Sequence, residues 1–515
     1  MRSQCYCVFK CKDQKGYINI KIVKIVIRLS VIFNLLLSGN CFSQDFSRLS
    51  DGKIESIELI IPTFLGGEGR NYYGNEAPSR LNLLWKFYLG KGKTVISKKI
   101  GEKEWAGSGW TGQSLLVREN DQLYLIQSAL DHHLRKINAT SGEMIWKYKF
   151  DDVVKGTGTI WRNSGARNLE ESVIILQGSR RGLENDLYSR YVPSFRAISY
   201  FTGRELWRMN VSRTESYSRD VDGSALLIKD TAYIGLENAL FTVFNPDPKF
   251  ASVKQRMLQP KIYKQIKLYN KKDQIRHGGN LVVESSPALL NDDIYITAGS
   301  GHVYGYDVAR DKIHWDFDIG SDMDGSPVVT GDSSLIVTVE KQYIEGQGGV
   351  FKLDPGKPPA EAVIWYFPTE DDSIESWQGG IIGSVAVNDK TREPDDPFLC
   401  AFIGIDGYLY VVKHLEIDVH SDKVPGPNKQ ANYYQPKLVF KKQIGPSIST
   451  PIIVKNKIIA CGYKGIYLFE FDKNLNFRLL DKQKRSAFES TPIVHERKVY
   501  IGAKDGYLYC FGEKN

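Results

Sequence analysis

Two short stretches carry the residues best placed for chemistry: Asp220-Val221-Asp222-Gly223-Ser224 and Asp322-Met323-Asp324-Gly325-Ser326. Carboxylates one residue apart, followed by Gly-Ser, offer hard oxygen donors beside a tight turn, the donor set that suits Ca²⁺. The same pattern also has a purely structural use, in which each Asp caps backbone N–H groups at the turn. Related positions bring further groups. Glu284 precedes Ser285-Ser286, Glu489 precedes Ser490-Thr491, Trp110 follows Gly109, and Trp377 precedes Gln378-Gly379-Gly380. If these segments are equivalent in the fold, carboxylates, hydroxyls and two indoles converge on one rim. The candidate ligand-binding residues are therefore Trp110, Asp220, Asp222, Glu284, Asp322, Asp324, Trp377 and Glu489, with either indole able to stack a planar or sugar ligand. No residue is given a catalytic role. The chain lacks a Gly-x-Ser-x-Gly elbow, a Walker loop, His-Glu-x-x-His and Cys-x-x-Cys-His.

The equivalence rests on an internal repeat. Residues 488–511 read as three β-runs separated by turns, with Ser490-Thr491-Pro492 before the first and Asp505-Gly506 supplying a hairpin turn. Ser285-Ser286-Pro287 and Ser449-Thr450-Pro451 open the same sentence upstream. A second signature joins the units, a turn followed by Trp: Thr140-Ser141-Gly142 before Trp146 and Thr202-Gly203 before Trp207, with weaker copies ending at Trp315 and Trp365. Trp85, Trp146, Trp207, Trp315 and Trp365 are expected on outer strands, packed between neighbouring units. Counting units predicts an all-β ring, a single β-propeller of eight four-stranded antiparallel blades. The last unit has only three strands, so residues 83–89 are expected to supply its fourth and remove an open edge.

Composition agrees, with 28 Tyr, 23 Phe and 46 Gly against 5 Met. The formal charge of +8 is concentrated at the start of the chain. Residues 1–43 hold seven Lys or Arg and one acid, leaving 61 basic against 59 acidic groups beyond them, which excludes a global attraction to nucleic acid. That basic head precedes a short apolar run and Cys41-Phe42-Ser43, and reads as a signal peptide cleaved after Ser43, with an uncleaved anchor as the alternative. The expected organisation is residues 1–43 as signal peptide, 44–80 as a loosely held N-terminal lead-in and 81–512 as the propeller. Cys400, Cys461 and Cys510 lie in or beside apolar runs and read as buried thiols.

The Thr-Gly-x-x-x-Trp and Asp-Gly-x-Leu/Val-Tyr repeats resemble those of the PQQ-like β-propeller family over residues 83–512. That family holds quinone-dependent alcohol dehydrogenases, a scaffold lipoprotein of outer-membrane barrel assembly and many exported proteins. The resemblance implies two functions. The first is an exported, periplasmic or envelope-associated, monomeric binding or scaffold protein. It would engage a protein or glycan of the cell envelope through the channel rim and the loops 247–277 and 416–436, with no cofactor. The second is a PQQ- and Ca²⁺-dependent dehydrogenase of alcohols or sugars. The vicinal Cys pair of such enzymes is absent here, and their catalytic Asp and Ca²⁺ ligands have no residue-by-residue match.

Overall fold

The computed structural model describes residues 56–514 apart from Lys98, Thr111 and Gln430. The segment read as a signal peptide lies outside the described residues.

Eight antiparallel sheets form the blades of a propeller. Blade 1 runs through Leu115–Glu119, Gln122–Ser128, His133–Asn138 and Met144–Lys149, from the channel outwards. Blades 2 to 7 repeat this order, beginning at Thr159–Arg162, Leu226–Ile228, Ala288–Leu290, Val328–Val329, Ala386–Val387 and Ile452–Val454. Blade 8 takes three strands from the C-terminal end, Ile493–His495, Lys498–Gly502 and Tyr507–Gly512, and its outer strand from Asn82–Tyr88. Trp85 faces Cys510 across that last pairing. Closure by an early strand hides the edge that Tyr507–Gly512 would otherwise expose.

A single device joins the blades. Every outer strand carries a bulge, and the residue just after it points at the next blade: Trp85, Trp146, Trp207, Lys264, Trp315, Trp365, Phe440 and Asp481. The five indoles donate to a backbone carbonyl there: Trp85 to Ala139 (3.2 Å), Trp146 to Tyr200 (3.0 Å), Trp207 to Pro246 (2.8 Å), Trp315 to Lys357 (2.9 Å) and Trp365 to His414 (3.0 Å). Lys264 reaches the Asp311 carbonyl in the same way, Phe440 stacks on Phe477 at 4.4 Å, and the Asp481 carboxylate accepts from the Leu81 N–H at 2.8 Å. Each indole buried this way removes about 200 Å² from water, worth at most about 5 kcal/mol before entropy.

The glycine of the repeat exists for the same contact. Gly203 has φ +68°, and a Cβ there would lie 2.8 Å from the Trp146 ring; Gly142 stands likewise under Trp85. Replacing Gly203 with alanine should cost about 1–3 kcal/mol through overpacking and a strained turn. Urea unfolding monitored by tryptophan fluorescence measures the loss.

From Ser56 onward the lead-in is not loosely held. Ile57–Ile61 adds a fifth strand to blade 1, on the channel side of Leu115–Glu119. Beyond it the chain crosses the channel and bonds to the inner strands in turn. The Pro62 carbonyl accepts from Ile160 (2.7 Å), Glu68 from Leu289 (2.8 Å), Gly69 from Val329 (2.9 Å) and Tyr73 from Val494 (3.0 Å). The Tyr73 hydroxyl accepts from the Val387 N–H at 3.0 Å. Arg70, fully buried, donates to Pro287 O (2.9 Å), Phe64 O (2.9 Å), Thr63 Oγ1 (2.7 Å) and Ser224 O (3.5 Å). Glycines and polar residues that looked like a tether form an axle, because the inner strands leave backbone groups that only another backbone can satisfy.

Candidate functional site

Residues that precede each inner strand and residues that follow each second strand share one mouth of the channel, since the two strands are antiparallel. A cavity of about 240 Å³ opens there. Trp110, Tyr217 and Trp377 supply aromatic wall; Lys155, Asn280, Glu284, Asp322, Asp324, Glu340 and Gln342 supply the polar lining. Phe64 from the axle shares a small void of about 10 Å³ with Trp110 and Asp324, so the mouth has an apolar floor.

The acids divide into three sets. Asp220 is buried and receives the Arg180 guanidinium (2.7 Å) and the Arg181 N–H (3.0 Å); burial opposes its charge, but Arg180 and Lys155 hold its pKa below the usual carboxylate range. Asp222 and Glu237 are buried around the Lys155 ammonium, 2.5 Å and 3.8 Å away. Burial works against that ammonium, yet Asp222, Glu237 and Glu284 outweigh it and keep its pKa well above the ordinary lysine value.

The third set has no cation in direct contact, and Lys155 reaches it only at longer range. Among the described residues Glu284, Asp322, Asp324 and Glu340 form no ion pair; Asn280 donates to Asp322 at 2.7 Å and to Gln342 at 3.0 Å, and the Met323 backbone N–H also favours the Asp322 charge. Burial lifts all four carboxyls: Asp322 to about 6, Glu284 to about 8 and Glu340 to about 9, with Asp324 raised well above its normal value. Lys155 pulls Glu284 and Asp324 back in part, while the neighbouring acids push Glu284, Asp324 and Glu340 further up. Asp322 Oδ1 and Asn280 Oδ1 are buried without a hydrogen-bond partner. Carboxylate oxygens of Asp222, Glu237 and Glu284 also lie within 4.8 Å of one another, close enough to share one metal ion. A cluster this deprived of positive charge either holds protons or binds a cation.

Of the residues expected from sequence, Trp110, Glu284, Asp322, Asp324 and Trp377 meet in the cavity. Asp222 stands behind them on Lys155, and Asp220 on Arg180. Glu489 is not part of the cavity lining: it pairs with Lys504 and accepts from the Tyr463 hydroxyl at 2.8 Å. Glu237, Glu340, Lys155, Tyr217, Asn280 and Gln342 escaped the sequence reading. Glu237 and Glu340 each follow directly on a second strand, after Leu236 and Val339, and that position was a usable signal. Cys400, Cys461 and Cys510 are free and buried, and burial raises their thiol pKa values.

Eight four-stranded antiparallel blades, joined at bulges by indoles, define the class as an eight-bladed β-propeller. No family profile and no curated protein sequence matches the chain. Solved structures do match in fold. BamB from Moraxella catarrhalis is 11% identical at a TM-score of 0.50, covering 84% of this chain and 100% of its own. The quinohemoprotein alcohol dehydrogenase from Comamonas testosteroni is 11% identical at 0.54, covering 88% and 81%. A europium-containing methanol dehydrogenase is 12% identical at 0.52, covering 88% and 98%. The likeness is one of fold.

Proposed function

We propose that this chain is a non-catalytic binding propeller that seats a hard divalent cation, Ca²⁺ or Mg²⁺, in its channel mouth, and offers the cation's free positions to a hydroxyl-rich ligand such as a glycan unit. The observation that carries this reading is the set of four carboxylates, Glu284, Asp322, Asp324 and Glu340, that share the mouth and form no ion pair among the described residues. The indoles of Trp110 and Trp377 stand where a sugar ring would stack. The basic and apolar composition of residues 1–43 supports export to the cell envelope, where the ligand would be met. Among the described residues no helix is long and apolar enough to cross a membrane.

The donor set does not suit PQQ. That cofactor is a tricarboxylate, and the cavity lining sets four acids against Lys155 alone. Lys155 is moreover already committed to Asp222 and Glu237. Like charges at this range repel strongly in a partly dehydrated site.

Cation binding must compete with protons. Affinity for Ca²⁺ should therefore rise from pH 6 to pH 9 as Glu284 (about 8) and Glu340 (about 9) ionise, with proton release visible as buffer-dependent heat in calorimetry. Stability has the opposite sign without the cation. These pKa values are raised above the ordinary 4.5, so the stability the protonated groups allow is full below that pH and is lost as pH climbs through about 8 and about 9. Saturating Ca²⁺ should flatten that slope. A pH-independent affinity, or unchanged binding by a Glu284→Gln, Asp322→Asn variant, would sink the reading. Retention of PQQ absorbance after desalting, together with reduction of an artificial acceptor by alcohols, would establish the dehydrogenase instead.

A further inference from the structure

Residues 248–267, the insert before the fourth strand of blade 3 together with that strand, Lys261–Lys267, hold six Lys or Arg and no acid. Ser252–Lys254 and Met257–Gln259 form a hairpin there, which packs on the outer strand of blade 2 through Gln259 and Asn210. Its tight turn is Gln255-Arg256. Val253 and Leu258 face each other across the hairpin and both stand in solvent, 73% and 39% exposed, beside Phe250 at 47%. Apolar side chains this exposed are costly unless something covers them.

Charge identifies the cover. Lys264 and Lys267 are neutralised by Asp311 (3.0 Å) and Glu215 (3.4 Å), but Lys249, Lys254, Arg256 and Lys261 form no ion pair among the described residues. Four unbalanced cations thus surround an exposed apolar trio. A bilayer answers both needs, taking apolar tips between its headgroups while anionic phosphates meet the basic rim. We propose that this hairpin docks the propeller on an anionic lipid surface, independently of what the channel mouth binds.

The test uses the full chain with vesicles of phosphatidylcholine, with and without about 30% phosphatidylglycerol, followed by amide hydrogen exchange. Residues 250–259 should gain protection on the anionic vesicles only, and lose it in high salt. A Lys254→Gln, Arg256→Gln variant should weaken that partitioning about thirtyfold, at roughly 1 kcal/mol for each cation. A Val253→Ser, Leu258→Ser variant should also release the hairpin while near-UV circular dichroism stays native. Unchanged exchange of residues 250–259 with anionic vesicles would overturn the proposal. So would protection by heparin or an acidic protein in the absence of lipid response, which would assign the surface to a soluble polyanion.

Discussion

Replacing Lys155 with methionine lowers the stability of the protein by about 3–5 kcal/mol near pH 7.5, the cost of removing one partner from a buried charge set. Asp222 and Glu237 are 2% exposed each, and Lys155 is the cation between them. Without it burial and Glu284, whose oxygens lie within 4.8 Å of theirs, push both acids still further up from their already raised pKa values. The two acids can escape by taking up protons, so the loss should be smaller at pH 5 than at pH 9. Added Ca²⁺ should restore part of it by standing where the ammonium stood. Chemical denaturation across that pH range, with and without Ca²⁺, measures all three effects. A Lys155→Met variant as stable as the parent at pH 9 would mean that the carboxyls are already neutral and that the mouth has no appetite for a cation.

A comparable loss, about 4 kcal/mol, is expected for Arg70→Met. The guanidinium satisfies the carbonyls of Phe64, Pro287 and Ser224, and each orphaned acceptor costs about 1–3 kcal/mol. Burial disfavours the charge, and Glu68 offsets this only in part. Methionine fills a similar volume, so the loss reports hydrogen bonds rather than a cavity. Local exchange separates this from general damage. Amides of residues 63–73 should exchange faster in the variant, while those of the Trp207 strand, held by the Pro246 carbonyl, should not.

The ring was legible in the chain because its joints are chemical. A Gly under an indole at two joints and a Trp after a bulge at five leave marks in the chain, and with the recurring β-runs they let the blades be counted. Blades 3, 6 and 7 fill the same joint with Lys264, Phe440 and Asp481, which no periodic search for Trp can recover. The axle was misread for a related reason. Residues 62–74 bury themselves through backbone carbonyls and amides, which have no signature in side-chain pattern. In the mouth, the acids ahead of inner strands were found through their Gly-Ser turns. Glu237 and Glu340 enter from strand ends instead, and Lys155 from the loop after blade 1, positions fixed by pairing rather than by motif.

Sharing one blade between the two ends of the chain also sets an order of events. During synthesis Asn82–Tyr88 must wait, unpaired along one side, until Tyr507–Gly512 has been made. Contacts of such sequence separation form slowly and leave a strand open to strangers in the meantime. A ribosome stalled anywhere before the final hairpin would release a fan of sheets with two free flanks, and chaperone dependence should be concentrated in that interval.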